Sequence, residues 1–320
     1  VRRIETAYNV RGLVATATSY DAPTAGSPEN QVSSEYNSFD QLTAEYQAHG
    51  GAVNPSTTPK VEYAYADGSS NTTRPTTLTY PNGRVVTFAY GTSDSDADRL
   101  SRVNSIDDAS SAQRVTYTYL GLSDFIKADY PEPQVRWDLS PTGNTLSGWD
   151  RFDRVVDCLW RDYGASVDVD RIQYGYDRAS NRLWRKNTVA PSGGNDELYT
   201  YDGVQRLVDM SRGDLVNAET SINDATFAQS WQLDATGNWN GLRQTDVTTA
   251  ANNLDQQRTA NRANEITGIA RRFGANWTTP VYDRAGNTVS FAKPADPTVA
   301  FNATYDAWNR LISVTEEGAE

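Results

Sequence analysis

The sequence predicts an all-β chain, laid out as a long antiparallel ribbon of hairpins. Three observations carry that prediction. A short Tyr-Asp turn pattern returns along the chain, the segments between its copies alternate apolar and polar residues, and helical periodicity is scarce. Composition agrees: 18 Tyr, 8 Trp and 8 Phe stand against a single Met among 320 residues. Aromatic and Thr/Val-rich segments suit pleated, half-buried surfaces.

The pattern opens at Tyr8-Asn9, with Gly12 closing the turn, and recurs at Tyr36-Asn37 with Phe39-Asp40-Gln41-Leu42. Between residues 37 and 148 it is loose, but Asn82-Gly83 in "YPNGRVV" marks a hairpin, because Gly tolerates φ > 0. "RVVTFAY" (84–90) and "RVTYTYL" (114–120) alternate as strands of a two-faced sheet do. From Trp149-Asp150 onward the copies are clearer. They begin at 149, 176, 201, 233, 261, 282 and 305, at intervals of 21 to 32 residues. A strict solenoid would not wander so far; a succession of hairpins with unequal loops does.

Tyr176-Asp177 leads to Asn181-Arg182-Leu183 with one residue more than usual in the turn, and Tyr201-Asp202 leads to Arg206-Leu207. "LDATGNW" (233–239) and "NRANEI" (261–266) are worn copies. Tyr282-Asp283 with Gly286, and Tyr305-Asp306 with Asn309, complete the series. "RIQYGY" (171–176) and "ELYTY" (197–201) supply strands between them. "NNLDQQRTANRANEI" (252–266) is the best helical candidate, although its Asn residues are poor helix formers.

Each copy reads as one hairpin tip. Tyr closes a strand and offers a broad ring to a cross-strand neighbour. Asp or Asn starts the reversal by accepting from backbone N–H groups two residues on. Gly or Asn then takes the φ > 0 position. Arg/Asn followed by Leu/Val starts the return strand. The chain is thus expected to be one array over 1–320, degenerate over 1–148 and regular over 149–320.

Several function classes fit poorly. A formal charge of −12 opposes nucleic-acid binding. No run approaches the ~20 apolar residues of a membrane-spanning helix, so membrane insertion is not expected. Cys158, alone in "VVDCLW", excludes a disulfide framework and reads as a core thiol. His49, in "QAHGGA", is the one histidine, and no G-x-S-x-G elbow accompanies it. Asp150/Asp153 and Asp168/Asp170 are the pairs that a polysaccharide-active enzyme could use, but turn chemistry and a solvated strand face account for them. Asp94, Asp96 and Asp98 imitate the start of a calcium loop, yet Arg99 and Ser105 stand where Gly and Glu are required. A shallow calcium site is what remains of that reading. Sequons occur at Asn71, Asn276 and Asn302. No cofactor, metal or catalytic residue is expected.

Y-D-x-x-G/N-R-L at such intervals, in nine copies with "YPNGRVVTFAYG" among them, resembles the Rhs/YD-repeat family over essentially the whole chain. The resemblance implies a ribbon that curves or spirals into part of a hollow β-shell. In bacterial polymorphic toxins and insecticidal complexes such a shell encloses a C-terminal effector, and in teneurins it belongs to an adhesive ectodomain. The family's C-terminal Y-D-P-x-T-G-R run and downstream D-P-x-G segment are missing; Asp296-Pro297 lacks the Gly two residues on. Self-cleavage and toxicity are therefore not carried over. The chain starts at Val1, has Met210 as its one Met, and reads as a piece of a longer protein.

The expectation is a non-catalytic wall segment of a secreted or cell-surface bacterial protein, partnered by the rest of its parent chain, a C-terminal effector among its candidates. The residues that carry it are the tips: Tyr8, Tyr36, Trp149, Asp150, Tyr176, Asp177, Tyr201, Asp202, Tyr282, Asp283, Gly286, Tyr305, Asp306 and Asn309. The alternatives are a module binding a cell-surface carbohydrate or protein, and an enzyme using an Asp pair.

Overall fold

The computed structural model describes residues 3–67, 71–108, 112–143, 146–190 and 194–316. Two compact units divide the chain. The first holds Val1–Asp138 with Asp162–Ser166 and Asp306–Trp308; the second holds the rest.

In the first unit the strands are β1 (Arg3–Tyr8), β2 (Val14–Tyr20), β3 (Pro28–Tyr36), β4 (Leu42–Ala48), β5 (Lys60–Tyr65), β6 (Pro75–Thr79), β7 (Val85–Ala89), β8 (Ser105–Asp108), β9 (Gln113–Leu120), β10 (Asp124–Tyr130) and β11 (Val135–Asp138). Each pairs antiparallel with the next in sequence. Helix α1 (Asp96–Arg99) is a single turn capped by the Ser95 hydroxyl.

The second unit carries β12 (Asp157–Asp162, all but its last residue), β13 (Val167–Tyr176), β14 (Arg182–Asn187), β15 (Asp196–Tyr201), β16 (Leu207–Val216), β17 (Ser221–Leu233), β18 (Trp239–Asp246), β19 (Leu254–Ala260) and β20 (Ile266–Phe273). It ends with β21 (Val281–Tyr282), β22 (Thr288–Ala292), β23 (Ala300–Tyr305) and β24 (Leu311–Glu316). Antiparallel neighbours again follow sequence order, from β13 to β20 and from β21 to β24. The expected all-β ribbon of antiparallel hairpins is what the chain forms.

Alternation decides which residues are buried. Ala44 and Tyr46 of β4, Ile126 and Ala128 of β10, and Leu254 and Gln256 of β19 sit two apart on the inward face. Most other strand residues are half-buried. Buried Leu or Ile side chains contribute ~1.5–3 kcal/mol each, and they are spread thinly, one or two per strand.

Two expectations are corrected here. Residues 252–266 form no α-helix: Asn252 ends a short 3-10 turn, Leu254–Ala260 is β19, and Asn261 opens a hairpin tip. The alternation of Leu254 and Gln256 inward against exposed Gln257 and Thr259 overrides the weak helical spacing. Cys158 is half-buried, and the inward positions of β12 are its neighbours Asp157 and Leu159.

Candidate functional site

The feature that repeats with constant geometry is the hairpin tip. In the tip opened by Asp177, the Asp177 N–H donates to the Asn181 carbonyl at 3.0 Å and the Ser180 N–H to the Asp177 carbonyl at 3.2 Å. Oδ1 of Asp177 accepts from the N–H groups of Ala179 and Asn181, both at 2.8 Å. Oδ2 accepts from Nδ2 of Asn181 at 2.8 Å. Ser180 lies at φ +70°. This is a three-residue loop whose last residue is left-handed, with one carboxylate satisfying the donors that the reversal leaves over.

The same backbone and Oδ1 bonds recur at Asn9, Asn37, Asp150, Asp202, Asp234, Asn261 and Asp283. The geometry holds at the Asn9 and Asn37 tips of the degenerate part and in the copies at 233 and 261. The left-handed residue always falls three after the Asp or Asn: Gly12, Asp40, Asp153, Ser180, Gln205, Gly237, Asn264 and Gly286, with Asn309 after Asp306. Asn181 is therefore not the turn residue, and the tip at 176 has no extra residue. Nor is the left-handed place reserved for Gly and Asn. Asp, Ser and Gln hold it where the ladder on both sides fixes the backbone. At "YPNGRVV" only Gly83 has positive φ, with the Gly83 N–H donating to the Tyr80 carbonyl at 2.9 Å.

Immediately before the tip the register slips by one residue. The shift falls at Tyr8, Tyr36, Tyr65, Tyr176, Tyr201, Leu233, Ala260, Tyr282 and Tyr305. Such a bulge re-aims the side chain. It turns the tyrosine along the row of tips, so that its hydroxyl reaches the residue just beyond the preceding tip. Tyr36 donates to the Val14 carbonyl at 3.0 Å, Tyr65 to Leu42 at 3.0 Å, and Tyr90 to Pro75 at 2.9 Å. Tyr176 donates to Val155 at 2.7 Å, Tyr201 to Arg182 at 2.8 Å and Tyr305 to Thr288 at 3.0 Å. The Tyr282 hydroxyl instead accepts from the Ile266 N–H at 3.3 Å. Tyr8, with no tip before it among the described residues, is 64% exposed. Trp149 buries its Nε1 with no partner among the described residues.

A further residue completes the link, and the sequence reading missed its role. At five tips the side chain four after the Asp or Asn reaches the following tip: Gln41, Arg154, Arg206, Asn238 and Asn287. Arg154 pairs with Asp150 at 2.6 Å, donates to the Asp177 carbonyl at 2.8 Å and to Ser180 Oγ at 3.3 Å, and lies 4.7 Å above the Tyr176 ring. Arg206 bonds Asp202 at 2.7 Å and the Asp234 carbonyl at 2.6 Å. Nδ2 of Asn238 and Nδ2 of Asn287 donate to Oδ1 of Asn264 and Asn309 at 3.0 and 2.9 Å. Gln41 donates to the Thr72 carbonyl at 2.6 Å. The recurrent Arg/Asn after the turn was the available signal. It was legible as a strand start and not as a bridge, because its partner lies a whole hairpin away.

These bonds hold the tip carboxylates in the ionised form. The Asn238 and Thr236 side chains bring Asp234 down to about 2. Bonds from the Arg154 side chain, the Asn181 side chain, the Arg206 N–H and the Asn287 side chain lower Asp150, Asp177, Asp202 and Asp283. Asp306 differs. Its side chain is fully buried in the first unit, where Oδ1 accepts the Trp308 N–H at 2.9 Å and Oδ2 lies 4.0 Å from Nδ1 of His49. Beside it the Ala307 N–H donates to Oδ1 of Asn30 at 3.3 Å.

The other candidates are placed as follows. Asp153 is a left-handed turn residue, so Asp150 and Asp153 have separate tasks. Asp168 accepts from Arg161 at 2.6 Å and Asp170 from Asn187 at 2.7 Å. Asp98 accepts from Arg74 at 2.6 Å, next to the Ser95 cap of α1. Asn71 caps its own turn through Thr73, Asn302 lies in β23, and Asn276 is exposed beyond β20. Among the described residues no three His, Cys, Asp or Glu side chains are grouped to hold a metal ion.

No family model matches the sequence, and no curated protein aligns with it. Solved structures do. The Tc holotoxin pore of Photorhabdus luminescens superposes with a TM-score of 0.62 at 13% identity, over 98% of this chain and 15% of that one. TcdB2-TccC3-TEV gives 0.62 at 13%, over 98% and 17%. TcdB2-TccC3 without its hypervariable C-terminal region gives 0.61 at 10%, over 99% and 20%. The chain spans a fifth or less of these proteins. At this identity the likeness establishes a shared fold.

Proposed function

We propose that this chain is a non-catalytic wall segment of an Rhs/YD-repeat shell, which encloses or displays another part of a secreted or cell-surface parent protein. The observation that carries this is the stitched row of tips. Tyrosine hydroxyls tie the hairpins at 36, 65, 90, 176, 201, 282 and 305 to the one before, and Gln41, Arg154, Arg206, Asn238 and Asn287 tie theirs to the one after. A ribbon joined only by ladder bonds can bend or slip at every hairpin. One with a second line of bonds along its margin holds a fixed curvature, as a wall requires. The shared fold with the Tc chains supports the reading. So does the use of the tip carboxylates as acceptors for backbone and neighbouring side chains, which is what a structural task asks of them.

Small-angle X-ray scattering on the monomeric chain tests it. A filled globule of this length has a radius of gyration near ~20 Å. The wall reading expects a clearly larger value with a depleted centre. A value near ~20 Å with a filled centre would sink it.

A further inference from the structure

We propose that Arg258 anchors a carboxylate-binding site, which takes a ligand bearing one carboxylate on a body of monosaccharide or amino-acid size. The site lies on β17–β20 of the second unit and is independent of the wall reading. Trp231 pairs with Leu242 and Leu242 with Gln256, so these three share a face, and Arg258 follows Gln256 on the same face of β19.

The Arg258 guanidinium is half-buried between two indoles, 5.3 Å from the Trp239 ring and 5.7 Å from the Trp277 ring. Its one polar partner is neutral: Oε1 of Gln256, at 2.9 and 3.3 Å. Elsewhere in the ribbon half-buried Arg171 holds Asp157 and Arg212 holds Glu197, both at 2.6 Å. Among the described residues no carboxylate lies in salt-bridge range of Arg258. Burial lowers its pKa. A cation held this way is costly unless an anion completes it.

The surroundings are rich in donors and short of acceptors. Gln256 is fully buried, and among the described residues its Nε2 has no partner; neither has the buried Nε1 of Trp231, whose ring is 6.0 Å from that of Trp239. A cavity of about 280 Å³ opens beside Arg258, walled by Trp239, Ala260 and Ile266, with Asn238 and Asn264 at its rim. That volume takes one small ring or side chain, and its walls suit an apolar body below a single charge. The formal charge of −12 weighs against a multiply charged anion. A carboxylate meets the guanidinium as a planar fork, which is the geometry arginine selects.

Tryptophan fluorescence reports on the site, because Trp239 and Trp277 flank the guanidinium. Titration with sodium glucuronate and with N-acetylglutamate should give saturable quenching, with Kd on the order of 1 mM for so small a ligand. Glucose should give none. Glucuronate binding in preference assigns the site to acidic sugars, and N-acetylglutamate in preference assigns it to acidic side chains. Arg258→Gln should weaken binding at least about tenfold, the loss expected of one charge-assisted bond. If that variant does not fold, Arg258→Lys, which keeps the charge and loses the fork, should fold and still bind more weakly. The proposal is overturned by failure of both carboxylates to saturate, by equal binding of glucose, by tighter binding of inorganic phosphate, or by undiminished binding to a folded Arg258 variant.

Discussion

Tyrosine at a tip is a hydrogen-bond donor first and a packing surface second. Its ring is in place because the bulge before the tip turns it along the row, and its hydroxyl then meets a carbonyl at 2.7–3.0 Å in case after case. Removing the hydroxyl alone separates the two contributions. Tyr201→Phe leaves the Arg182 carbonyl without its donor and should cost about 1 kcal/mol of stability, read from urea unfolding. Tyr8→Phe, at an exposed ring whose hydroxyl has no carbonyl partner among the described residues, should cost nothing measurable. Equal effects at the two positions would reduce the rung to coincidence. At this scale the sequence was legible where a residue acts on its own turn: Asp177, Asp202 and Asp283 accept the N–H groups two and four residues on. It was illegible where a backbone constraint replaces a preference. Gln205 at φ +66° has no propensity that announces it, and only the two ladders flanking the tip force it there.

The hairpin is the element, and its repetition was visible from the alternating strands and the Tyr-Asp marks. What the sequence concealed was how one hairpin is tied to the next. Arg154 looks like the first residue of a return strand. In space it closes Asp150, bonds the Asp177 carbonyl and covers Tyr176. A residue that spans two elements couples them, and coupling is measurable. Arg154→Met and Tyr176→Phe, made singly and together, should be non-additive by about 0.5 kcal/mol or more in a double-mutant cycle, since both act on the same seam. Strict additivity would mean that the two hairpins stand side by side without support. The segment 252–266 teaches the converse lesson. Its helical spacing was real but weak, and the tip chemistry of Asn261, with Oδ1 accepting from Ala263 and Glu265 at 2.9 and 3.0 Å, decided the outcome. Turn chemistry outweighed periodicity because it recurs at every other tip and therefore fits the ladder on both sides.

Across the whole molecule these local bonds sum into a pH profile whose two limbs have different origins. On the acid side the tip carboxylates titrate below their unfolded values, Asp234 at about 2, and so does Asp246 at the end of β18, held at about 2 by the Thr248 and Asn252 side chains. A depressed folded pKa means that the unfolded chain takes up protons first as the pH drops. The stabilisation is complete above about 4 and is lost as the pH falls toward 2. On the alkaline side, burial raises Tyr90, Tyr119 and Tyr201 above the ordinary phenol value, and all three donate their hydroxyls to carbonyls. A raised folded pKa gives the opposite sign: the contribution is complete below about 10 and is lost as the pH climbs past the folded value, where a phenolate can no longer donate. With one histidine in 320 residues, little proton exchange accompanies unfolding between the two limbs. The urea midpoint should therefore be nearly flat from about pH 5 to about pH 9, fall on the acid side below about 4, and fall again above about 10. Replacing Asp234 and Asp246 by Asn should make the acid limb shallower and leave the alkaline one intact, and Tyr201→Phe should do the reverse. A midpoint that instead declined steadily through the neutral range would mean that net charge, and not the row of tips, governs the stability of the chain.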